Sequence, residues 1–297
     1  MPPKVIFRCD AGDAPEIGTG HIARSKTLAS AIVKHGLVKQ EDIFFYTRDD
    51  EGFNLGKKYL ASSGIQFQEL SGNKLKANSK SEKDILINTE AKLIFFDRLE
   101  TSKDIVSNIQ KEGIKVVTFD DYGSGRNYVD LAISAIFDDW NKTLNLVTGY
   151  EYLILSKDFY SCGPIKANVQ NLVATFGGND ARDICSHFIK HLHEIPCNIQ
   201  VDIILGKVNN EALIKYRKDI SSIVSGDNIK LHVFPQNYHE IISNADVAIS
   251  SGGLSIFEFA AYGVPTIGLP QYQHQLRTIE NLQNAGISIL GTDGMNL

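Results

Sequence analysis

The chain has 297 residues, 43% of them hydrophobic and 22% charged, with 30 Lys and Arg against 35 Asp and Glu and a formal charge of −5. Such a length suits two ordinary domains rather than one small core, and the acidic balance gives no support to binding driven by nucleic-acid phosphates. No apolar run approaches the ~20 residues that span a bilayer, and strand-like sequence follows Met1-Pro2-Pro3-Lys4 at once, so no signal peptide is expected. Cys9, Cys162, Cys185 and Cys197 lack CxxC spacing. The expectation is a protein with free thiols in a reducing, cytoplasmic compartment.

Strand-like apolar runs alternate with helical patterns from end to end, which predicts an α/β fold of parallel sheets covered on both faces. In the first half, strands are expected near Val5-Phe7, Ile43-Tyr46, Ile65-Gln68, Leu93-Phe96, Val116-Phe119 and Leu131-Ile133. The polar, Ser/Lys/Asn-rich stretch from Lys74 to Lys83 reads as a solvated loop or a poorly buried helix start. A second series begins after Pro164, with strands Leu172-Phe176, Ile199-Leu205, Ile229-Phe234, Val247-Ile249, Thr266-Leu269 and Ile287-Leu290. Helices are expected over Ala181 to Glu194, Glu211 to Ile223, Tyr238 to Asn244, Ser255 to Tyr262 and His274 to Ala285. Two doubly wound domains facing a cleft follow, residues 1–162 and 163–297, and ligands in such sheets lie beyond the carboxyl ends of the strands.

Four loops after strands carry chemistry. The first, between Phe7 and Ala29, holds Gly18-Thr19-Gly20 with His21 behind it, ahead of a helix with apolar Ile22, Leu28, Ala29, Ile32 and Val33. A helix N-terminus favours an uncharged imidazole, which can act as a base; the loop can equally be a tight turn whose histidine caps the helix. It matches neither GxGxxG nor GxxxxGK[ST]. The second, Phe176-Gly177-Gly178-Asn179-Asp180, lets backbone approach a phosphate at a helix start, or is a plain turn. In the third, Ser250-Ser251-Gly252-Gly253-Leu254-Ser255, the following Glu258 can accept bonds from ribose hydroxyls or simply be solvated. The fourth, Pro270-Gln271-Tyr272-Gln273-His274-Gln275, opens a helix with polar side chains that bind or cap.

Together FRxD, IGxGHxxR, Phe119-Asp120-Asp121, Tyr152-Leu153-Ile154-Leu155 before Asp158-Phe159, Phe176 to Asp180, and Gly252-Gly253 with Glu258 resemble the UDP-sugar hydrolases of pseudaminic acid biosynthesis. The C-terminal half also resembles the UDP-GlcNAc-binding half of MurG-like glycosyltransferases. The resemblance implies a GT-B fold of two Rossmann-like domains and release of UDP from a UDP-linked diacetamido-trideoxy sugar by water attack at the anomeric carbon, with no metal or cofactor. It implies that His21 activates the water. Asp10 orients the imidazole or binds sugar hydroxyls, or is a turn residue, and Arg24 reaches a phosphate or a carboxylate, or is a surface arginine. Gly18 and Gly20 belong to the substrate- or nucleotide-binding set. Gly177, Gly178, Asn179, Gly252, Gly253 and Ser255 serve the diphosphate, Glu258 the ribose, and Gln275, with Gln271 or His274, phosphate or sugar.

One position departs from that family. Its members carry a tyrosine at a DxY-like site after a strand ending in Asp, where this chain reads Phe96-Asp97-Arg98-Leu99-Glu100, with Tyr122 on a neighbouring loop. The expected partner is a UDP-sugar, with no nucleic acid or membrane and a monomer favoured. Alternatives are a GT-B glycosyltransferase and a catalytically silent sugar-nucleotide-binding protein. His187, His191 and His193 share a predicted helix without HExxH, and the pairs Asp49-Asp50, Asp120-Asp121 and Asp138-Asp139 point opposite ways along the backbone, so neither suggests a metal site.

Overall fold

The computed structural model describes residues 4–12, 17–136, 145–159, 165–178, 180, 182–206, 208–223 and 228–291. The chain divides into two compact units, Met1–Leu155 and Ser156–Leu297. The junction expected between residues 162 and 163 lies outside the described residues.

In the N-terminal unit the strands are β1 (Val5–Cys9), β2 (Ile43–Arg48), β3 (Gln66–Leu70), β4 (Leu93–Asp97), β5 (Lys115–Phe119), β6 (Leu131–Ser134) and β7 (Leu146–Thr148). They form one sheet in the order β3-β2-β1-β4-β5-β6-β7, every pair parallel. The helices are α1 (Gly20–Lys34), α2 (Gly56–Leu60), α3 (Gly72–Leu75), α4 (Lys80–Ile87) and α5 (Lys103–Lys111). Alternation along β1 divides the core: Val5, Phe7 and Cys9 join one cluster with Ile22 and Ala29 of α1, and Ile6 joins another with Leu86 of α4 and Ile105 of α5. Both faces are thus covered, as unbroken apolar strands require. Phe45, Phe7, Phe95 and Phe119 stack in turn across four neighbouring strands, centroids 4.8, 4.7 and 5.7 Å apart. The three-residue edge strand β7 is too short to leave a pattern in the sequence.

The stretch from Lys74 to Lys83 departs from expectation. It ends α3 and starts α4, with Leu75 and Glu82 fully buried. Ser79 accepts the Glu82 amide at 3.1 Å, so this S-x-x-E segment begins a helix, and the Glu82 side chain then folds inward instead of meeting water.

The C-terminal unit holds β8 (Asn171–Thr175), β9 (Gln200–Leu205), β10 (Ile229–Val233), β11 (Val247–Ser250), β12 (Thr266–Gly268) and β13 (Ser288–Leu290), ordered β10-β9-β8-β11-β12-β13 and all parallel. Its helices are α6 (Ile184–Lys190), α7 (Asn210–Ile223), α8 (Tyr238–Ser243), α9 (Leu254–Ala261) and α10 (Gln273–Asn284). α6 is shorter than the expected 181–194 span. The Asp180 carboxylate accepts the Ile184 and Cys185 amides at 2.9 and 2.7 Å and so fixes its start, and a separate 3-10 turn, Leu192–Glu194, follows it before Pro196. His191 and His193 therefore lie off the helix that carries His187, bonded to Glu194 and to the Lys190 carbonyl.

The strand order reverses between β1 and β4 in the first unit and between β8 and β11 in the second. At such a reversal the flanking connections depart toward opposite faces, and the loops there are left open to hold ligands.

Candidate functional site

At the first reversal the loop after β1 enters α1. Gly18 has φ of +52°, a left-handed value that favours glycine, and its carbonyl accepts the Gly12 amide at 2.9 Å. Gly12 must itself lack a side chain, because a Cβ there would fall 1.8 Å from the Gly52 carbonyl oxygen. Gly20 is the first residue of α1 and His21 the second. Helical spacing puts His21, Arg24 and Ser25 on one face, and all three converge on a single buried carboxylate, Asp97 at the carboxyl end of β4. His21 Nδ1 lies 2.7 Å from Asp97 Oδ1, Arg24 donates to both oxygens at 2.6 and 3.1 Å, and Ser25 Oγ donates at 2.9 Å.

Burial works against the Asp97 charge, but the Arg24 guanidinium and His21 outweigh it and hold the carboxyl down at about 2. An ionised carboxylate only accepts hydrogen bonds, so His21 Nδ1 carries the hydrogen and a neutral ring presents Nε2 as a lone-pair acceptor. Arg24 also pairs with Asp120. Asp120, at φ of +43°, accepts the Ala135 and Ile136 amides at 2.9 and 3.1 Å. Its neighbour Asp121 instead accepts the Thr101 and Gly123 amides at 3.0 and 2.6 Å, so the adjacent carboxylates serve different loops.

Asp10 does other work than its sequence position suggested, and Arg24 takes one of its two expected partners. Asp10 is no orienter of the imidazole, since its carboxylate binds the Arg8 guanidinium at 2.7 Å and the Arg48 amide at 2.9 Å; Asp97 orients the ring instead. Arg24 is 6% exposed and turned onto Asp97 and Asp120, so of its two expected partners, phosphate or carboxylate, it has taken the carboxylate. Arg98, next to the missing tyrosine, is buried over the Phe96 ring and donates to both Glu82 oxygens at 2.8 and 2.9 Å. Glu82 also takes Arg8 Nε at 2.6 Å, which makes a buried Arg8–Glu82–Arg98 triad. The Tyr122 amide donates to the Leu99 carbonyl at 2.6 Å, so Tyr122 adjoins the DxY-like position.

In the C-terminal unit the glycine loops again flank the reversal. Gly177, just past β8, has φ of +80°, and Gly206, after β9, would place a Cβ 2.6 and 2.5 Å from the Gly177 and Gly178 carbonyls. Asn179 lies outside the described residues. After β11, a Cβ on Gly252 would meet the Gln275 carbonyl at 2.6 Å, while Gly253 faces open space directly before α9. Ser255 and Glu258 share one face of α9. Tyr238, first in α8, donates to Glu258 Oε2 at 2.7 Å and lies 3.3 Å from Ser255 Oγ. Burial pushes the Glu258 carboxyl up to about 7. Gln275 braces its own loop, its side-chain oxygen accepting the Gln271 amide at 2.8 Å, and Gln271 reaches the Phe176 carbonyl at 2.6 Å. His274 stacks on Tyr272 at 5.6 Å.

Residues 172–291 match the glycosyltransferase family 28 C-terminal domain. Over 286 residues the chain is 26% identical to uncharacterized protein MJ1062 of Methanocaldococcus jannaschii, covering 88% of this chain and 54% of that protein, so it spans about half that relative's length. Identity to the spore coat polysaccharide biosynthesis protein SpsG of Bacillus subtilis is 22% over 290 residues, 92% of this chain and 80% of that one. MurG of Acinetobacter baumannii superposes with a TM-score of 0.64 at 14% identity, over 99% of this chain and 88% of that one. Anabaena HepE in complex with UDP gives 0.59 at 12% identity, over 98% and 86%. The fold is that of GT-B glycosyltransferases.

Within this GT-B chain the N-terminal Rossmann-like unit carries the His21–Asp97–Arg24 constellation, and the C-terminal one carries Gly177, Gly178, Gly252, Gly253, Ser255 and Glu258 around its strand-order reversal. Asp97 left one signal, an aspartate closing an apolar strand, but nothing in the sequence tied it to His21. Tyr238 left no signal, since a tyrosine opening a helix is ordinary. Among the described residues no helix is long and apolar enough to cross a membrane, no group of three or more His, Cys, Asp or Glu could hold a metal ion, and Cys9, Cys185 and Cys197 are free thiols.

Proposed function

We propose that the chain is a hydrolase that releases UDP from a UDP-linked diacetamido-trideoxy sugar, in the biosynthesis of pseudaminic-type acids, with His21 as the general base. The carrying observation is the His21 Nδ1 contact with Asp97 at 2.7 Å, which leaves Nε2 of the neutral ring to take a proton from water. Asp97 and Asp120 against one Arg24 leave a net negative charge, and a proton arriving on His21 neutralises it, the logic by which a buried carboxylate supports an imidazolium. UDP is a good leaving group, so the reaction asks for one base and donors for the diphosphate rather than a strong acid. In this reading backbone amides of the Gly177-Gly178 and Gly252-Gly253 loops hold the diphosphate and Glu258 the ribose. The UDP in the HepE structure and the polysaccharide role in the name of SpsG support the ligand class.

Incubation with UDP-sugars alone, followed by NMR of the product, tests the proposal: free sugar and UDP in equal amounts are expected. His21→Ala should lower kcat by about 10²–10⁴-fold, and an unaltered rate would remove the base from the mechanism. The match to the glycosyltransferase family 28 domain favours a second reading, transfer of the sugar to an acceptor. In that case UDP appears only when an acceptor is added.

A further inference from the structure

We infer that Tyr238 is a positioning residue for Glu258, its hydroxyl fixing the carboxylate that reads the vicinal diol of a nucleoside diphosphate. The inference rests on the proposed nucleotide-binding role of the C-terminal unit. Tyr238 opens α8, Glu258 lies one turn into α9, and the O–H to Oε2 bond of 2.7 Å joins them. The tyrosine ring is in turn held edge-on by Phe159, at 6.4 Å between centroids, so the hydroxyl arrives from a packed platform.

A carboxylate receives both hydroxyls of a ribose only while ionised; once protonated it becomes a donor on one side and loses acceptor capacity. Burial pushes Glu258 up to about 7, and the Tyr238 hydrogen bond opposes that rise by stabilising the charged form. Ser255, one turn back on the same helix, also favours its charged form, while Tyr262 just past the helix is pushed up by burial and by the nearby Asp158 and Glu258 charges and donates its hydroxyl to the Asp158 carbonyl at 2.5 Å. His239 of α8, 3.5 Å from the Asp158 carboxylate, packs on the same Phe159 ring at 4.5 Å. Without the Tyr238 hydroxyl, Glu258 takes up its proton at a higher pH and the diol loses its acceptor in the neutral range.

The test compares binding of UDP and 2′,3′-dideoxy-UDP by calorimetry from pH 6 to pH 9. The two share a terminal phosphate that titrates near pH 6, so the ratio of their dissociation constants cancels that titration and reports the diol alone. For the wild-type chain UDP should be favoured about tenfold at high pH, the preference vanishing toward pH 6. Tyr238→Phe, which keeps the ring, should move that fade to higher pH, and Glu258→Gln should remove the pH dependence altogether. A Tyr238→Phe curve that overlays the wild type overturns the inference, as does a ratio of one at every pH while UDP still binds. Absence of UDP binding at any pH overturns the nucleotide-binding role itself, and the inference with it. Should Tyr238→Phe not fold, a pH dependence retained by Glu258→Gln refutes the inference by itself.

Discussion

Replacing Asp97 by asparagine strikes both the packing of β4 and the tautomer of His21. Asp97 is 1% exposed, and each oxygen faces two donors: Oδ1 meets His21 Nδ1 and Arg24 Nη2, and Oδ2 meets Arg24 Nε and Ser25 Oγ. An amide keeps one oxygen and turns an NH2 group on the other pair of donors, so some bonds become repulsive in either orientation. Arg24 retains Asp120. The loss should therefore fall near the lower end of the roughly 3–5 kcal/mol seen when a buried ion pair loses one partner. That corresponds to a fall of about 6–12 °C in the midpoint of thermal unfolding. If the NH2 faces His21, Nδ1 must accept and Nε2 carries the hydrogen, which would disable the proposed base and, under that proposal, lower UDP release by about 10²–10⁴-fold.

The same variant should change the response to acid. Asp97 titrates at about 2 in place of 3.8, so its contribution is complete above the ordinary value and is lost as pH falls from about 4 to 2. The shift of just under two pH units amounts to about 2 kcal/mol. The wild type should lose stability more steeply over that range than Asp97→Asn in acid titrations followed by circular dichroism. An Asp97→Asn protein with wild-type thermal midpoint and wild-type acid profile would refute the reading of Asp97 as the anchor of this cluster.

Two further outcomes follow from packing. Glu82→Gln leaves Arg8 and Arg98 without their shared carboxylate and should cost roughly 3–5 kcal/mol in urea denaturation; a change under about 1 kcal/mol would contradict a closed triad. Gly252→Ala pushes a methyl group against the Gln275 carbonyl, 2.6 Å away, and should cost about 1–3 kcal/mol while weakening UDP binding measured by calorimetry.

Much of the fold was legible because a strand buried on both faces must be apolar throughout, and runs such as Val5-Phe7 and Leu93-Phe96 cannot be mistaken for exposed chain. The loops after β1, β8 and β11 were legible because glycine marks unusual backbone, as Gly18 and Gly177 bear out with positive φ. The partner of His21 was not. Asp10 is near in sequence but engaged by Arg8, whereas Asp97, 76 positions away, is adjacent only once β1 and β4 pair. Glu82 was hidden for a different reason: Ser, Lys and Asn around it read as solvated surface, and only the two arginines that meet it explain why a carboxylate leaves water there.

The reach of that carboxylate bears on the order in which the first unit assembles. Its guanidinium partners are 74 and 16 residues away, so the Arg98 contact needs only α4 and β4 to meet, whereas the Arg8 contact waits for β1 to pair with β4. The cluster is therefore complete, with both arginines engaged and α4 tied to β1 as well as to the turn after β4, only in a sheet already formed. Amides of α4 should accordingly open and exchange with solvent ahead of those in β1 and β4, however deep Leu75 and Leu86 sit in the native core.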